Sequence, residues 1–247
     1  KVEPRALTYV ANQLARNSSI YFVACSYGNF DIITAVHFLN IEILTEFINS
    51  ELVKINGILS TETMVLSSPR KYYNFCWQPL AFKKVKNGWH RYFDASPSYN
   101  NFPLDQVDRN ILSFLMEDGL TRPATIKSKL GIGESTVRKR MKRMQNNEVF
   151  KIVAVPNPEL LEDEVWATMG ITINKRPAHE VLNAIVKHPE VYLASVSIGR
   201  FNLVIAVRFG NIDFLNRFVT IDLPAIDGVS YVETFLHNLQ YSAQRRC

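Results

Sequence analysis

Every odd-numbered position from 201 to 209 is apolar, and asparagine and arginine occupy positions 202 and 208, which predicts a β-strand with one buried face. The pattern around this strand changes between helical and extended spacing, in the order strand, helix, strand, strand, helix, strand. The predicted elements are strand 165–173, helix 178–187, strand 191–198, strand 201–209, helix 211–223 and strand 228–236. This βαββαβ order is typical of the ferredoxin-like fold, an α+β arrangement in which two helices cover one face of a four-stranded antiparallel sheet.

The first part of the chain repeats this pattern. A shift of 171 residues, without a gap, places residues 21–63 over residues 192–234, and 16 of the 43 pairs are identical. Such self-similarity indicates two copies of one domain. The elements predicted for the first copy are helix 7–16, strand 20–27, strand 30–38, helix 41–53 and strand 58–66. The equivalent of the strand at 165 falls before residue 1, so we expect the first copy to lack its opening strand and at least one strand to lie upstream.

Between the two copies, residues 104–150 contain three short segments with helical spacing, separated by glycine. The first segment runs from 104 to 116 and is closed by Gly119, and the second begins near Pro123, a residue favoured in the first turn of a helix. A turn at 131–133 leads into the third segment, which begins at Glu134. Two short helices, a glycine turn and a third helix predict a helix-turn-helix (winged-helix-like) DNA-binding domain.

The net charge of this stretch favours a domain that binds nucleic acid over a three-helix segment with a purely structural role. Residues 127–151 hold eight Lys or Arg and two acids, a net charge of +6, whereas the whole chain carries +5. A basic face of this density suits phosphate contact; a solvated lysine-rich helix is the alternative. Arg140 lies close to the buried side of the third helix, where we expect it to bridge to another element. The residues predicted to contact double-stranded DNA are Ser135, Thr136, Arg138, Lys139, Lys142 and Arg143.

The chain of 247 residues is long enough for two or three small domains. We predict the following division: the first ferredoxin-like copy at 1–68, an aromatic-rich connector at 69–103, the helix-turn-helix domain at 104–150, a linking strand at 151–164 and the second copy at 165–247. The stretch 67–103 contains ten aromatic residues, so we expect it to pack between domains, with a platform for single-stranded nucleic acid as the alternative. Asn87-Gly88 predicts a hairpin turn within it.

Composition excludes several classes of protein. The three cysteines and five histidines have no metal-like spacing, and no Ser-His-Asp or paired-carboxylate constellation occurs. No apolar run approaches the roughly 20 residues that a membrane helix needs, and the first residues lack a signal-peptide pattern. We therefore predict a cytoplasmic protein with no metal, cofactor, catalytic residues or membrane partner.

With these residues in place, the chain resembles the leucine-responsive regulator/AsnC family of bacterial and archaeal transcription regulators. The similar stretches are LDQVDRNIL in the first helix, LGIGESTVRKRMKRM across the turn and third helix, and the related turns YGNFDIITAV and IGRFNLVIAV. The family has one helix-turn-helix followed by one effector domain of ferredoxin-like fold, whereas here a copy of that domain also precedes it. Lys127, Gly133 and Glu148 also depart from the family pattern.

The resemblance implies a small-molecule effector, such as an amino acid, at interfaces between effector domains. It implies that Asp31 accepts hydrogen bonds from a ligand amino group and that backbone N–H groups near Gly28 hold its carboxylate. Asn202 stands where the second copy would need the acid, so that copy is expected to be structural. The alternative is that Gly28 and Gly199 only form tight turns. The candidate ligand-binding residues are Ser26, Gly28, Asn29, Asp31, Gly199 and Asn202.

Two further classes of protein stay open as alternatives. One is an enzyme, because relatives of this fold pair act as tetrapyrrole (siroheme-type) decarboxylases; however, His37 and Arg208 occupy equivalent places in the two copies, so no catalytic pair is retained. The other is a ligand-binding module with a vestigial DNA-binding domain. Because family members pair their effector domains between chains, sheet against sheet, we expect the two copies here to form an intrachain pseudo-dimer, which assembles further into a homo-oligomer.

Overall fold

The computed structural model of the protein describes residues 1–17, 19–38, 40–72, 102–147, 149–150, 152 and 164–241. These residues form two compact units, of which one contains 1–72 together with 164–241 and the other contains 102–152. No helix within the described ranges has the length and the apolar character needed to cross a membrane.

The second copy has the βαββαβ order that the sequence predicts. Its elements are β4 (Val165–Ile173), α6 (Ala178–Ile185), β5 (Val191–Ile198), β6 (Leu203–Phe209), α7 (Ile212–Arg217) and β7 (Val229–Tyr241). The four strands are antiparallel neighbours in the order β7-β4-β6-β5. Apolar side chains on one face of this sheet pack against α6 and α7 to form the main core. The predicted helix 211–223 differs in detail, because α7 ends at Arg217 and a π-helical turn, Phe218–Asp222, follows it.

The first copy has the equivalent elements in a shorter form. They are α1 (Leu7–Arg16), β1 (Ile20–Tyr27), β2 (Ile32–Val36), α2 (Ile41–Glu46) and β3 (Val65–Tyr72). The predicted helix 41–53 is divided into α2, a π-helical turn at Phe47–Glu51 and a 3₁₀ turn at Leu52–Lys54. Its smaller core lies between α1, β1 and the π turn.

The last strand of the first copy begins later than predicted, at Val65 rather than at residue 58. Among the described residues, the start of this stretch pairs only with the first residues of the chain, through the bridge between Val2 and Ile58 and hydrogen bonds of Leu59 and Ser60 with Lys1. A strand requires a neighbour to complete its ladder of hydrogen bonds, and residues 61–64 form no strand. In the second copy β4 supplies that neighbour.

The two copies are joined edge to edge, which the expected pairing of sheet against sheet did not include, and they share one seven-stranded sheet with the order β2-β1-β7-β4-β6-β5-β3. Strand β1 pairs with β7 of the second copy, with Tyr27 opposite Leu236, and β3 pairs with β5, with Val65 opposite Ile198. A shift of 171 residues converts the first of these pairs into the second. The contacts between the copies therefore follow an approximate two-fold relation.

The helical unit contains α3 (Gln106–Glu117), α4 (Pro123–Leu130) and α5 (Glu134–Asn146). The first helix begins two residues later than predicted, because Asp105 caps it and forms a reciprocal capping box with Asp108. The three helices meet around a small apolar core of Ile111, Leu115, Ile126, Val137 and Met144. No strand that would act as a wing occurs within residues 102–147.

Two predicted segments lie mostly outside the described residues. The connector at 69–103 is described only at 69–72, which end β3, and at 102–103. The hairpin predicted at Asn87-Gly88 lies outside those ranges, as does the linking strand at 151–164 apart from Ile152 and Glu164.

Candidate DNA-binding and ligand-binding sites

Helix α5 has one buried side and one polar side. Val137 and Met144 are fully buried and fix the helix on α3 and α4. All six residues predicted to contact DNA lie on the solvent side. Those exposed residues are Ser135, Thr136, Arg138, Lys139, Lys142 and Arg143.

The turn before α5 sets where its first residues lie. Gly131 has a left-handed φ of +67° and its N–H donates to the Lys127 carbonyl at 2.9 Å, which closes α4. Ile132 is half-buried and packs into the helical core, as its place in the turn predicts. Gly133 is the N-cap of α5 and contributes no side-chain cap, so the positive end of the helix and Ser135 face solvent.

A buried carboxylate on α3 fixes the orientation of α5. Asp108 is fully buried, and its two oxygens accept hydrogen bonds from Arg140 Nη1 at 2.9 Å and Arg143 Nη2 at 2.5 Å. Arg140 Nη1 also donates to the exposed Asp105 at 2.6 Å. The backbone hydrogen bond from Asp108 and the Arg140 guanidinium lower the pKa of the Asp105 carboxyl. The bridging role expected of Arg140 is confirmed.

This network divides the basic residues of α5 into two groups. Arg143 is 46% exposed but is held by Asp108 and lies over the Phe102 ring, 5.0 Å from its centroid. Arg138 pairs with Glu134 one turn earlier, at 2.6 Å. Lys139 and Lys142 form no ion pair within the described residues. They are therefore the cations of α5 most available to phosphate. Sequence reasoning missed Asp108, although its three-residue spacing from Asp105 is the signature of a capping box.

The candidate ligand turn of the first copy is a tight β1–β2 turn. Gly28 has a φ of +134°, which favours glycine, and Ser26 Oγ donates to the Phe30 carbonyl at 2.9 Å. The carboxylate of Asp31 accepts the Val2 N–H at 2.9 Å and Lys1 Nζ at 3.1 Å. Partial burial alone would raise the pKa of Asp31, but these two donors bring it below its usual value.

The equivalent turn of the second copy has the same backbone features, a glycine with a positive φ and a side chain that accepts a backbone N–H. Gly199 has a φ of +140°, and Asn202 Oδ1 accepts the Ile173 N–H at 2.9 Å. Val2 and Ile173 are themselves related by the 171-residue shift. Asp31 and Asn202 thus both accept a backbone N–H from equivalent residues, Val2 and Ile173, and the charge of Asp31 is what distinguishes them.

Side chains of the two turns contact glutamate side chains of the other copy. Asn29 Nδ2 donates to Glu233 Oε1 at 2.6 Å, and Arg200 Nη2 lies 2.7 Å from Glu233 Oε2. Arg200 also lies 3.8 Å from Glu62, the repeat equivalent of Glu233. Glu233 is only 8% exposed, so its charge depends on these donors. Sequence reasoning missed both glutamates and Arg200, although Glu62 and Glu233 form one of the identical pairs of the repeat.

The residues considered for catalysis do not form a common site. His37 is exposed after β2, whereas Arg208 is 15% exposed, lies 3.6 Å from Glu164 and stacks over Trp166. Burial raises the pKa of Glu164. Within the described part of the chain, no group of three His, Cys, Asp or Glu side chains is arranged to hold a metal ion.

Sequence comparison with known protein families finds a match in each of the two compact units. Residues 104–145 match the AsnC-type helix-turn-helix domain, and residues 3–76 match the PF0864 C-terminal dimeric alpha+beta barrel domain. The HTH-type transcriptional regulator FL11 of Pyrococcus furiosus is 31% identical over 134 residues, which is 54% of this chain and 88% of that regulator. An HTH-type regulator of Pyrococcus horikoshii, PH0140, is 30% identical over 139 residues, 56% of this chain and 88% of its own length.

One solved structure shows the shared fold. The leucine response regulatory protein LrpA of Mycobacterium tuberculosis aligns with a TM-score of 0.50 and 22% identity, over 57% of this chain and 97% of that one. A basic recognition helix in a helix-turn-helix, on the same chain as an α+β unit with an antiparallel sheet, defines a DNA-binding transcription regulator. The chain belongs to the Lrp/AsnC family of such regulators.

Proposed function

We propose that this regulator recognises a specific duplex sequence by placing the N-terminal half of α5 in the major groove. The observation that carries the proposal is the exposed basic face of α5, whose orientation is fixed by the hydrogen bonds that Arg140 and Arg143 donate to the buried Asp108. A helix held in one rotation presents the same side chains to every base pair that it meets, and sequence discrimination requires this.

The side chains of α5 divide into two roles. Ser135, Thr136, Arg138 and Lys139 lie in its first half and are placed to meet base edges, where a bidentate pair contributes about 1–3 kcal/mol of discrimination. Lys142 lies a turn later and meets phosphate. Arg143 contacts phosphate only with the part of its guanidinium that Asp108 leaves free.

Selection of bound sequences from random duplex DNA, followed by titration at several salt concentrations, tests this proposal. We expect a defined sequence preference and a binding constant that falls steeply with salt. Lys142→Ala should weaken binding to all sequences and reduce the magnitude of the salt slope by about 1. Lys54→Ala removes the same charge from the other unit and should leave the slope unchanged. Binding that has no sequence preference and no dependence on α5 would instead favour a vestigial DNA-binding domain.

A small-molecule effector, such as an amino acid, is the second part of the proposal. We place its amino group on Asp31 and its carboxylate on backbone N–H groups near Gly28, with Ser26 and Asn29 beside them. Support comes from the partly exposed carboxylate of Asp31, which keeps 31% of its side-chain surface. Gly199 and Asn202 form the matching turn without the acid, so we assign them a structural role.

The third part of the proposal is that the two copies act as an intrachain pseudo-dimer. The pairing of β1 with β7 and of β3 with β5 supports it, since each copy contributes one strand edge to the other. The contacts of Asn29 with Glu233 and of Arg200 with Glu62 add polar links across the same boundary. Further assembly of such pseudo-dimers into a homo-oligomer is part of this proposal, and light scattering of the purified chain measures it.

A further inference from the structure

Glu134 is the only acidic residue in the sequence of α5, whose exposed side is otherwise basic. The residues predicted to contact DNA do not include it. Its side chain is 35% exposed and lies one turn before Arg138. An acid on a surface that meets phosphate opposes binding through its charge, so its place in the first turn of α5 requires an explanation.

The ion pair between Glu134 and Arg138 defines which atoms of the arginine stay available. Nε and Nη2 of Arg138 both donate to Glu134 Oε1, at 3.0 Å and 2.6 Å. A guanidinium carries five N–H donors in one plane, so the two on Nη1 and one on Nη2 remain. Guanine presents two acceptors, N7 and O6, in the major groove, and a pair of guanidinium N–H groups matches them.

The same ion pair leaves one oxygen of Glu134 available. Both hydrogen bonds from Arg138 end on Oε1, and Oε2 accepts none from the residues that the structure describes. A carboxylate in the major groove accepts a hydrogen bond from the exocyclic amino group of cytosine. The two side chains therefore have complementary requirements, a pair of acceptors for Arg138 and a donor for Glu134.

Stability alone does not explain this ion pair. Arg138 is 64% exposed, and exposed ion pairs at this spacing contribute little to the stability of a helix. An acid in the first turn also interacts favourably with the helix dipole, but that role requires no contact with Arg138. Arg140 and Arg143 contact the buried Asp108 on α3, whereas the partner of Arg138 lies on α5 itself, so this pair moves with the helix as a unit.

We propose that Glu134 is a specificity-determining residue of the DNA-binding site. It positions the free edge of Arg138 against N7 and O6 of a guanine, and its own Oε2 accepts the N4 amino group of a cytosine in a neighbouring base pair. Its charge also lowers the affinity for sequences that offer it no donor. This inference rests on the proposed placement of α5 in the major groove, and it adds a residue that contacts bases and orients another.

Selection of bound duplexes from a random library, with the full chain and with its Glu134→Gln variant, tests the assignment. Titration of the selected duplex and of its single-base variants then gives a discrimination ratio at each position. We expect Glu134→Gln to lower this ratio about tenfold at one guanine and at a neighbouring cytosine. Affinity for an unrelated duplex should rise about twofold, since a repulsive charge is removed. Glu117→Gln removes an exposed acid from α3 and should leave every ratio unchanged.

A second pair of variants separates the positioning of Arg138 from the direct contact of Glu134. Arg138→Lys keeps the charge but loses the planar arrangement of donors, so it should lose the guanine preference and keep the cytosine preference. In the Arg138→Lys background, Glu134→Gln should lower the guanine ratio no further, because its effect there acts through Arg138.

Three results would overturn the inference: Glu134→Gln keeps all base preferences, Glu117→Gln changes them to the same extent, or the losses at guanine add fully in the double variant. In each case the unmodified chain still selects a defined sequence, so the proposed function stands and the role of Glu134 fails. Absence of any sequence preference in the unmodified chain would overturn the proposed function, and this inference with it.

Discussion

The carboxylate of Asp108 on α3 accepts a hydrogen bond from Arg140 on α5 at 2.9 Å, and Asp108 has no exposed surface. Because its other oxygen is occupied by Arg143, one buried acid holds two residues of the recognition helix three positions apart. That spacing places both arginines along the edge of α5 nearest α3, from which Arg143 is still 46% exposed. The rotation of α5, and therefore the choice of side chains that face solvent, depends on this acid as well as on the apolar core.

We expect Asp108→Asn to destabilise the helical unit by about 3 kcal/mol, because the loss of the charge leaves two guanidinium groups without their buried partner. DNA affinity should fall with it. Hydrogen exchange of the α5 amides in the full chain measures the stability directly. Glu117→Gln removes an exposed acid from the same helix and serves as the matched control. Equal exchange rates in the two variants would show that the network contributes little to the stability of α5.

The two adjacent basic residues of α5 should behave differently when truncated. Lys142→Ala is expected to lower DNA affinity while leaving the stability of the helical unit unchanged, since the side chain is exposed. Arg143→Ala is expected to lower both, because it also removes a partner of Asp108. Thermal unfolding combined with DNA titration separates the two effects. A loss of stability in Lys142→Ala comparable to that in Arg143→Ala would contradict this division.

Asp31 and Asn202 offer a matched exchange at the two turns. Both side chains accept a backbone N–H, from Val2 and from its repeat equivalent Ile173, and both amide and carboxylate oxygens can do so. Asp31→Asn should therefore keep the fold, yet abolish the increase in melting temperature that an amino-acid effector produces. Asn202→Ala should leave that increase nearly intact. The reverse result would place the effector in the second copy.

Burial of His237 should make the stability of the larger unit depend on pH. Its ring packs against Phe22, Nε2 lies 3.0 Å from Thr168 Oγ1, and burial lowers the pKa from 6.5 to about 4. Since the unfolded chain binds a proton that the folded chain excludes, this contribution is fully present above pH 6.5 and is lost as the pH falls towards 4. The loss amounts to at most about 3 kcal/mol.

Denaturant unfolding at several pH values measures this contribution. His237→Gln should reduce the slope of stability against pH between 4 and 6.5. His179→Gln, which replaces an exposed histidine of the same domain, should leave the slope as it is. An unchanged slope in His237→Gln would mean that the ring is protonated in the folded chain.

Local patterns in the sequence predict the elements of this protein well. The apolar residues at every second position of β6 and the glycine turn before α5 each reflect interactions within a few residues, so they can be read without the rest of the chain. The expectation of one buried face for β6 is wrong, however, because Val204 and Ala206 on its other face are also buried. The exposed face of α5 follows from the same reasoning, because a helix with a known buried side has a known solvent side. These local rules correctly place all six predicted DNA-contact residues on one exposed face.

Long-range pairing explains what the sequence could not predict. Residues 59–64 are the repeat equivalents of residues 230–235 in β7, yet they lack a neighbouring strand among the described residues and so form none. The bonds from Asp108 to two arginines of α5, and those from Asn29 and Arg200 to Glu233, connect residues far apart in the chain. Secondary-structure propensity and hydrophobic periodicity describe each residue within its own segment. They carry no information on which distant residue it contacts.

The proposed intrachain pairing of the two copies makes a testable prediction about covalent cross-linking. Tyr27 faces Leu236 across β1 and β7, and Val65 faces Ile198 across β3 and β5. Opposed residues of antiparallel strands have Cα atoms about 4.5–5.5 Å apart, which suits a disulfide. We therefore expect Tyr27→Cys with Leu236→Cys, and separately Val65→Cys with Ile198→Cys, to form a disulfide on mild oxidation, in a chain whose native cysteines have been replaced.

The isotopic composition of the product decides between pairing within a chain and pairing between chains. Isotope-labelled and unlabelled chains are mixed, unfolded, refolded together and oxidised, and their masses are then measured. Pairing within one chain gives only monomers with an internal disulfide, at every protein concentration, because the two halves of each pair are always present at the effective concentration that the linker sets. Disulfide-linked dimers of mixed isotopic composition would show that each sheet is completed by a second molecule. The two cysteine pairs are equivalent under the repeat, so an intrachain pseudo-dimer requires both of them to close within the chain.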